Sequence, residues 1–175
     1  MNHLDSVDKY DIAANEWSNA PSLNKQRCDH SCCALGDSIY VFCGVNQNGF
    51  SMNSIECLDA GALIRGLQVT WQLISLSKGR LSRRSATLVA PFSQNEIIIL
   101  GGLVKEGKPP LGDGYILNTQ DMSLAKVMDS SLFKFSASKN VSCMTKSGGQ
   151  VYGIVEGGTE QDLNSISRLV AYSRD

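Results

Sequence analysis

Three segments of the chain repeat one pattern, in which a run of β-prone apolar residues ends in a pair of small residues. They are residues 37–44, 95–102 and 150–158. Their closing glycines, Gly44, Gly102 and Gly158, are 58 and 56 residues apart. A period in this range is typical of proteins that place similar units side by side, such as solenoids and propellers. We therefore expect an array of small sheets rather than one compact core.

The residues between the glycine pairs repeat as well. Residues 53–59 and 70–73 follow Gly44, and an earlier, incomplete copy of the same pattern spans residues 7–11 and 15–21. Trp71 and Trp17 occupy the same place in these two copies. The pattern resembles the kelch repeat, in which a glycine pair closes the second strand, a Tyr-Asp-like end closes the third and a tryptophan lies on the fourth. The resemblance covers nearly the whole chain and implies a β-propeller.

The repeat residues are expected to shape and pack the blades of such a propeller. A glycine pair lets the backbone leave the sheet with φ values that are costly for other residues, and a tryptophan is large enough to fill the space between adjacent blades. Cys43 stands where the family has its first glycine, and we expect it to keep a negative φ. The residues assigned to the repeat are Gly44, Gly101, Gly102, Gly157, Gly158, Trp17, Trp71, Tyr10, Tyr40 and Tyr152.

Apolar periodicity and turn signals predict thirteen strands and almost no helix. The strands lie near residues 7–11, 15–19, 29–35, 38–44, 54–59, 69–75, 84–90, 95–101, 113–118, 122–128, 139–146, 150–156 and 165–173. Grouped as two, four, four and three, they predict an all-β fold, a partial β-propeller of four-stranded antiparallel blades. The blade pieces would span about residues 1–26, 27–78, 79–131 and 132–175, which makes about three and a quarter blades.

This strand number is too small for the six or seven blades typical of the proteins that the chain resembles. We therefore expect the chain to be part of a larger propeller, with a half-ring that needs a second copy as an alternative. The first two strands and the last three could also complete one blade between them, if a ring closes at four blades or if two chains exchange ends. Open blade edges would favour self-association.

The charge balance argues against a nucleic-acid partner. The chain has 16 Lys and Arg against 17 Asp and Glu, a net charge of −1, whereas nucleic-acid-binding domains carry a basic excess. It contains no apolar run of about eighteen residues, the length that a membrane helix requires. Its first residues carry Asp5, Asp8, Asp11 and Glu16 instead of a signal-peptide pattern. We expect a soluble, cytoplasmic protein without a membrane or nucleic-acid partner.

Residues suited to catalysis or metal binding are sparse. The two histidines are His3, near the start of the chain, and His30, beside a predicted strand, and neither has an evident partner. Cys28, His30, Cys32 and Cys33 form a cluster in the sequence, but strand alternation sends Cys32 and Cys33 to opposite faces. The cysteines are therefore interpreted as buried thiols, and no metal, cofactor or catalytic residue is predicted.

Binding is the remaining class of function, because the loops of a propeller vary freely and gather at one face. In the proteins that this chain resembles, partners dock on loops that join second to third and fourth to first strands. The cations assigned to partner binding on these loops are Arg27, Lys78, Arg80, Arg83, Arg84, Lys105 and Lys108. Such a basic rim would suit an acidic peptide segment, because guanidinium groups bind carboxylates bidentately. The alternative, which we prefer, is that an arginine opening each blade pairs with an acidic residue of a neighbouring strand, such as Glu56 or Asp59, or is solvated in a loop.

These observations predict a non-catalytic protein–protein interaction module of the adaptor or scaffold type, without a cofactor. One alternative is a propeller-type enzyme that acts on carbohydrate or a related small molecule. It would need carboxylates that converge at the mouth of the channel, and the candidates are Glu56, Asp59, Asp113 and Glu156. Another alternative is a decayed fragment without independent activity.

Overall fold

The structure is a computed structural model that describes residues 3–105, 107–129, 144–147, 150–155 and 168–172. In these residues the chain forms thirteen strands in four antiparallel sheets, and one short helix. This arrangement confirms the predicted all-β fold. No helix of the described residues is long and apolar enough to cross a membrane.

Sheet 1 is a two-stranded hairpin of β1 (Val7–Asp11) and β2 (Glu16–Ala20). Tyr10 lies opposite Trp17 in its register. The turn between the strands is stabilised by the Asp11 carboxylate, which accepts hydrogen bonds from the backbone N–H groups of Ala13 (2.9 Å) and Ala14 (3.0 Å). This use of an aspartate side chain to cap a turn is common.

Sheet 2 has four strands whose order in space follows the chain. They are β3 (Ser31–Leu35), β4 (Ser38–Phe42), β5 (Ile55–Asp59) and β6 (Gln72–Leu73). The helix α1 (Ala60–Ile64) lies between β5 and β6. It begins at Asp59, whose side chain accepts a hydrogen bond of 2.7 Å from the backbone N of Ala62, as is usual for an aspartate at a helix start.

Sheet 3 repeats this order with four more strands, and sheet 4 has three. Sheet 3 contains β7 (Leu88–Pro91), β8 (Glu96–Leu100), β9 (Asp113–Asn118) and β10 (Leu124–Asp129). Sheet 4 contains β11 (Met144–Ser147), β12 (Gln150–Val155) and β13 (Arg168–Tyr172). Sheets 1 and 4 are separate, so the prediction that they complete one blade within a single chain is wrong.

The central strands of sheets 2 and 3 are apolar on both faces, and their side chains belong to different core clusters. Tyr40 and Phe42 of β4 join Ile97 and Ile99 of β8 in the core between sheets 2 and 3. Val41, the residue between them on β4, points the other way, into the core between sheets 1 and 2. Alternate side chains of β4 thus belong to two different cores, one on each face of sheet 2.

The first strands of sheets 2 and 3 lie next to each other. The hydroxyl of Ser31 at the start of β3 donates to the backbone O of Thr87, just before β7. The backbone N of Ala86 donates to the O of Asp29 at 2.8 Å. The sheets are therefore joined at their first strands, and their loops between second and third strands leave the same end of the fold.

Close backbone contacts require a glycine as the second residue of the small-residue pair in sheets 2 and 3. Gly44 has φ +98°, and a Cβ there would lie 2.7 Å from the backbone O of Cys28. At Gly102, with φ +104°, a Cβ would lie 2.8 Å from the O of Ser85. Neither position has room for a side chain, so the assignment of these two glycines to a repeat has a steric reason.

Cys43 differs from its predicted conformation. Its φ is +60°, almost the same as the +59° of Gly101 at the equivalent place in sheet 3, so the prediction of a negative φ is wrong. The backbone N of Cys43 donates to the O of Ser54 (2.9 Å), and this pairing holds the left-handed turn with a side chain present. Such a conformation costs a non-glycine residue about 1–2 kcal/mol.

The two tryptophans have different surroundings although they occupy the same place in the repeat. Trp71 is buried, with 4% of its surface exposed, and its indole N–H donates to the backbone O of Pro21 at 2.8 Å. Trp17 is 72% exposed and contacts the ring of Tyr10 at a centroid distance of 5.0 Å. The prediction that Trp17 fills a space between blades is wrong, because no described sheet covers this face of sheet 1.

Of the other residues assigned to the repeat, Tyr40 is buried in the core between sheets 2 and 3, and Tyr10 is exposed. Tyr152 belongs to β12, of which only the backbone is described. Gly157 and Gly158 lie outside the described residues.

Candidate functional site

Arg27 enters sheet 2 just before β3 and is buried, with 2% of its surface exposed. One guanidinium nitrogen, Nη1, donates to the backbone O of Cys43 at 2.6 Å. The other, Nη2, donates to the Ser54 hydroxyl at 3.2 Å and forms an ion pair with Glu56, whose side chain is also fully buried. Because the guanidinium charge is compensated by a carboxylate and by hydrogen bonds, it can be held away from water.

Arg84 repeats this arrangement just before β7 in sheet 3. Its Nη1 donates to the backbone O of Gly101 at 2.8 Å, and its two terminal nitrogens bind both oxygens of Asp113 at 2.9 and 3.0 Å. The guanidinium carbon also lies 5.0 Å from the centre of the Tyr115 ring. Burial alone would raise the pKa of Asp113, but the hydrogen bonds and charge of Arg84 outweigh it and hold that pKa below its usual value.

The two arginine sites correspond position by position. The arginines are 57 residues apart. Each donates to the backbone O of the first residue in the small-residue pair of its sheet, which is Cys43 in sheet 2 and Gly101 in sheet 3. Ser54 and Asp113 correspond because their carbonyls accept from the backbone N of Cys43 and of Gly101, each at 2.9 Å. Two residues further along, Glu56 in sheet 2 is replaced by Tyr115 in sheet 3. The carboxylate therefore comes from a different position in each sheet, while the arginine keeps its place.

This geometry corrects the assignment of Arg27 and Arg84 to partner binding. Both side chains are buried and hold a loop to its own sheet, so they cannot contact a partner. The preferred alternative, an arginine that pairs with an acidic residue of a neighbouring strand, is confirmed for Arg27 and Glu56. Arg84 follows the same principle with Asp113.

The other five cations assigned to partner binding are exposed. They are Lys78, Arg80, Arg83, Lys105 and Lys108. Lys78 is fixed at the outer edge of sheet 3, where its backbone O accepts from the N of Leu124 at 2.8 Å. Arg83 precedes Arg84, whose backbone N donates to the O of Met52 at 2.9 Å, so Arg83 lies beside the loop between β4 and β5.

Two loops of neighbouring sheets form a common surface, which we call the loop surface. It consists of residues 45–52, between β4 and β5, and the described residues 103–105, 107 and 108, between β8 and β9. The Ser51 hydroxyl donates to the backbone O of Val104 at 2.7 Å and so ties one loop to the other. Phe50 and Val104 are 61% and 47% exposed on this surface, next to Lys105 and Lys108.

The loop between β4 and β5, which carries Phe50, is stabilised by hydrogen bonds among its own residues. The Asn46 side chain accepts from the backbone N of Asn48 and of Phe50, each at 3.0 Å, and the Asn46 backbone N donates to the O of Phe50 at 3.0 Å. The backbone of the turn that carries Phe50 is therefore ordered by hydrogen bonds. Sequence reasoning did not select Phe50 or Val104. The available signal was an apolar residue directly after the turn residues Asn48 and Gly49.

The segment that contains Arg27, the Cys43–Gly44 turn and Glu56 matches a known family. Residues 26–60 match the family model described as the Kelch motif. This match supports the predicted resemblance to the kelch-repeat family. The matched segment is the part of sheet 2 that runs from the buried arginine through β5, and sheet 3 repeats its geometry. The kelch motif suggests a β-propeller, an architecture that commonly serves protein interaction.

Three of the four carboxylates that a propeller-type enzyme would need lie in the described residues, and each of the three has a structural partner. Glu56 and Asp113 are each paired with an arginine of their own sheet. Asp59 begins α1 at the opposite end of β5 from the loop surface. Glu156 lies outside the described residues. The three described carboxylates thus have separate structural roles.

The histidine and cysteine side chains of the described residues were the candidates for metal binding. Within the described ranges, no group of three or more His, Cys, Asp and Glu side chains could hold a metal ion. Burial and the nearby Arg27 charge lower the pKa of His30, against an opposing contribution from Asp29. Burial raises the pKa of Cys33 and of Cys43 to about 12, so both thiols stay protonated and weakly reactive at neutral pH. Cys143 lies outside the described residues.

Proposed function

We propose that this kelch-repeat chain is a non-catalytic protein-interaction module of the adaptor or scaffold type, and that its partner docks on the loop surface. The observation that carries the proposal is the pair of exposed apolar side chains, Phe50 and Val104, on loops tied together by Ser51. An exposed aromatic side chain on a fixed loop is the kind of residue that contributes most to protein interfaces. It loses little conformational entropy on binding because its turn is already ordered.

The partner in this proposal is an acidic peptide segment with an apolar side chain for the Phe50 and Val104 patch. Lys105 and Lys108 are exposed on the loop that carries Val104, and Arg83 is exposed beside the loop that carries Phe50. In the proposal these cations face the carboxylates of such a segment. Exposed charge pairs contribute little affinity individually, so their main effects are on the association rate and the orientation of the partner. The apolar patch supplies the affinity, and the cations supply selectivity for acidic sequences.

The experiment is an array of synthetic acidic peptides, each with one leucine or phenylalanine flanked by aspartate and glutamate, probed with the purified chain. We expect binding peptides whose affinity falls about tenfold in Phe50→Ala and severalfold in Lys105→Glu, since loss of a central aromatic anchor costs about 1–2 kcal/mol. Matched controls are Leu67→Ala and Arg65→Glu, which change an exposed apolar and an exposed basic residue near α1, at the other end of the strands. If the loop variants and the controls bind these peptides equally, or if no acidic peptide binds, the proposal is wrong.

Two broader statements belong to the same proposal. We place the chain in a larger propeller, in which further blades would extend the loop surface on either side. We also place the protein in the cytoplasm. A fluorescent fusion imaged in cells tests the location, and signal confined to a secretory compartment would contradict it.

A further inference from the structure

The connection between sheets 2 and 3 carries an exposed serine among arginines. Its Arg80, Ser82 and Arg83 are exposed. Leu81 and Arg84 are buried, and Leu81 belongs to the core between the two sheets. Leu81 therefore anchors the segment and leaves its neighbours Arg80 and Ser82 to the solvent. Charged residues close to a serine are how protein kinases select their substrates, so this segment has the composition of a kinase substrate.

The fold separates Ser82 from two other hydroxyl side chains near these arginines. Ser85 and Thr87 are only 6% and 3% exposed. The Thr87 hydroxyl donates to the backbone O of Leu100 at 3.1 Å, and the Ser85 hydroxyl donates to the O of Leu103 at 3.4 Å. In sequence all three hydroxyls lie within three residues of an arginine. In the folded chain, Ser82 is the one of the three that a modifying enzyme can reach.

The Ser82 hydroxyl already contacts a cation. It accepts a hydrogen bond from Nη2 of Arg84, and the Ser82 backbone O accepts from Nε of the same guanidinium at 3.2 Å. The oxygens of a phosphate on this hydroxyl would lie within reach of Arg84, which now binds Asp113 with both terminal nitrogens. A phosphate accepts stronger hydrogen bonds from a guanidinium than a neutral hydroxyl does. The site is therefore suited to hold the modified side chain.

Sheet 2 has a different side chain at the equivalent place. Lys25 precedes Arg27 by two residues, as Ser82 precedes Arg84. The backbone O of Lys25 accepts from Nε of Arg27 at 3.4 Å, which repeats the contact between Ser82 and Arg84. The backbone arrangement is shared, but of these two sheets it is sheet 3 that places a hydroxyl beside the arginine. A modification at Ser82 would thus act on one border of the array.

Ser82 lies beside one of the loops of the loop surface. The backbone N of Arg84 donates to the O of Met52 at 2.9 Å, and the Asn53 side chain donates to the O of Leu81 at 3.3 Å. Residues 81–84 therefore run along the end of the loop between β4 and β5. A phosphoserine carries a charge of about −1.5 to −2 at pH 7. At this place it would neutralise Arg83 and repel the carboxylates of an acidic partner.

We propose that Ser82 is a phosphorylation site of a serine kinase that selects arginines, and that its phosphate weakens the binding of acidic segments to the loop surface. The kinase transfers the γ-phosphoryl group of ATP. A bond forms between its phosphorus and Oγ of Ser82, the bond to the leaving oxygen of ADP breaks, and the hydroxyl proton passes to the catalytic base of the kinase. The modification itself depends only on the segment, whereas its effect on binding rests on the function proposed above.

The first measurement is phosphate incorporation into the folded chain by the catalytic domain of protein kinase C with ATP and Mg²⁺, mapped by mass spectrometry. We expect phosphate at Ser82, and a rate that falls severalfold when Arg80→Gln and Arg83→Gln are combined. The control is Ser77→Ala, which removes an exposed serine of the same connection with no arginine within two positions, and it should leave incorporation at Ser82 unchanged. Absence of phosphate at Ser82, or a rate that the arginine variant leaves unchanged, would overturn the assignment.

The second measurement compares the binding of the acidic peptides to the unmodified and the phosphorylated chain, with folding checked by circular dichroism. We expect severalfold weaker binding after phosphorylation, and no change when Ser82→Ala is treated with the kinase in the same way. Equal binding by both forms, or a loss of binding that accompanies unfolding, would show that the phosphate does not regulate the loop surface. If neither form binds an acidic peptide, the proposed function and this regulation are both wrong, whereas phosphate at Ser82 would still establish the modification site.

Discussion

At the scale of single residues, the buried arginines show why a cation in a loop sequence is not evidence of a binding surface. Arg27 and Arg83 both lie in connections between sheets, yet the first is buried and the second is exposed. What separates them is a carboxylate from another part of the chain, Glu56 for Arg27. Breaking such a buried pair by removing one partner costs about 3–5 kcal/mol, whereas an exposed charge contributes little.

The Asp113 carboxylate makes the stability of sheet 3 depend on pH. Its pKa is lowered in the folded chain, because the hydrogen bonds and charge of Arg84 outweigh the opposing effect of burial. A carboxyl with a lowered folded-state pKa adds stability that is fully present above its unfolded-state pKa of about 3.9 and is lost as the pH falls through the folded-state value. We expect Asp113→Asn to be less stable than the unmodified chain at pH 6, with a smaller difference at pH 3.

Urea unfolding between pH 6 and pH 2.5 measures this effect. The comparison variant is Asp37→Asn, an exposed carboxylate between β3 and β4, which should follow the unmodified chain more closely over the same range. A difference between Asp113→Asn and the unmodified chain that stays constant from pH 6 to pH 2.5 would contradict the role given to the Arg84 pair.

At the scale of strands, two predicted strands are shorter than expected for one physical reason. The strands predicted at 29–35 and 84–90 begin at Ser31 and at Leu88. Asp29 and Ala86 have φ values of +49° and +48°, and these left-handed residues interrupt the extended backbone before each strand. Preceding residues pair with neighbouring loops instead, as Cys28 does with Val45 and Ser85 with Leu103.

The positive φ of Ala86 leads to a prediction about the stability of the chain. Glycine adopts a positive φ without the steric cost of about 1–2 kcal/mol that alanine has, although it loses somewhat more entropy on folding. We expect Ala86→Gly to raise the free energy of unfolding by about 0.5–1 kcal/mol, as measured by urea or thermal unfolding.

The matched control is Ala90→Gly, four residues further along and inside β7, where Ala90 is fully buried. This change should lower the free energy of unfolding, because glycine weakens a strand and leaves unfilled space. A stabilisation at both positions, or at neither, would show that φ at Ala86 does not limit stability.

The sequence was sufficient to predict the strands and their grouping, and insufficient to predict the site. Strand and turn signals are visible in the local sequence, and the limits that they predict for β1 and β9 are the observed ones. The left-handed φ of Ala86 and the burial of Arg84 depend on residues far along the chain and leave no local signal. Phe50 was missed because an exposed aromatic residue and a core aromatic residue are alike until the neighbouring sheet is known.

At the scale of the whole molecule, equivalent repeat positions have different roles because their neighbours differ. Trp71 is covered by the segment that joins sheet 1 to sheet 2, through Leu23 and the backbone O of Pro21. Trp17, at the same place in sheet 1, contacts Tyr10 and is 72% exposed. The repeat pattern specifies a large aromatic side chain, and the packing of the array decides whether that side chain becomes core.

The two tryptophans should therefore respond differently to substitution. Trp71→Ala removes a buried aromatic side chain and should lower the free energy of unfolding by about 3–5 kcal/mol. Trp17→Ala removes only a cross-strand contact with Tyr10, which is worth less than about 1 kcal/mol. Urea unfolding of the two variants measures the difference, and equal losses would contradict the exposed position of Trp17.

Fluorescence provides a second measurement on conservative variants. With Trp71→Phe, the remaining emission comes from Trp17 and should be quenched strongly by acrylamide. With Trp17→Phe, the emission comes from the buried Trp71 and should be quenched only weakly by acrylamide.

Backbone hydrogen bonds cross the border between sheets 2 and 3. The N of Gly44 donates to the O of Arg84 at 3.1 Å, and the N of Arg84 donates to the O of Met52 at 2.9 Å. Main-chain groups are the same in every amino acid, so these two hydrogen bonds do not depend on which side chains sheets 2 and 3 carry. A border between other sheets of the same backbone geometry could carry the same hydrogen bonds. When such an array changes in length, only the apolar side chains between two sheets, such as Phe42 and Ile97, would have to be matched anew.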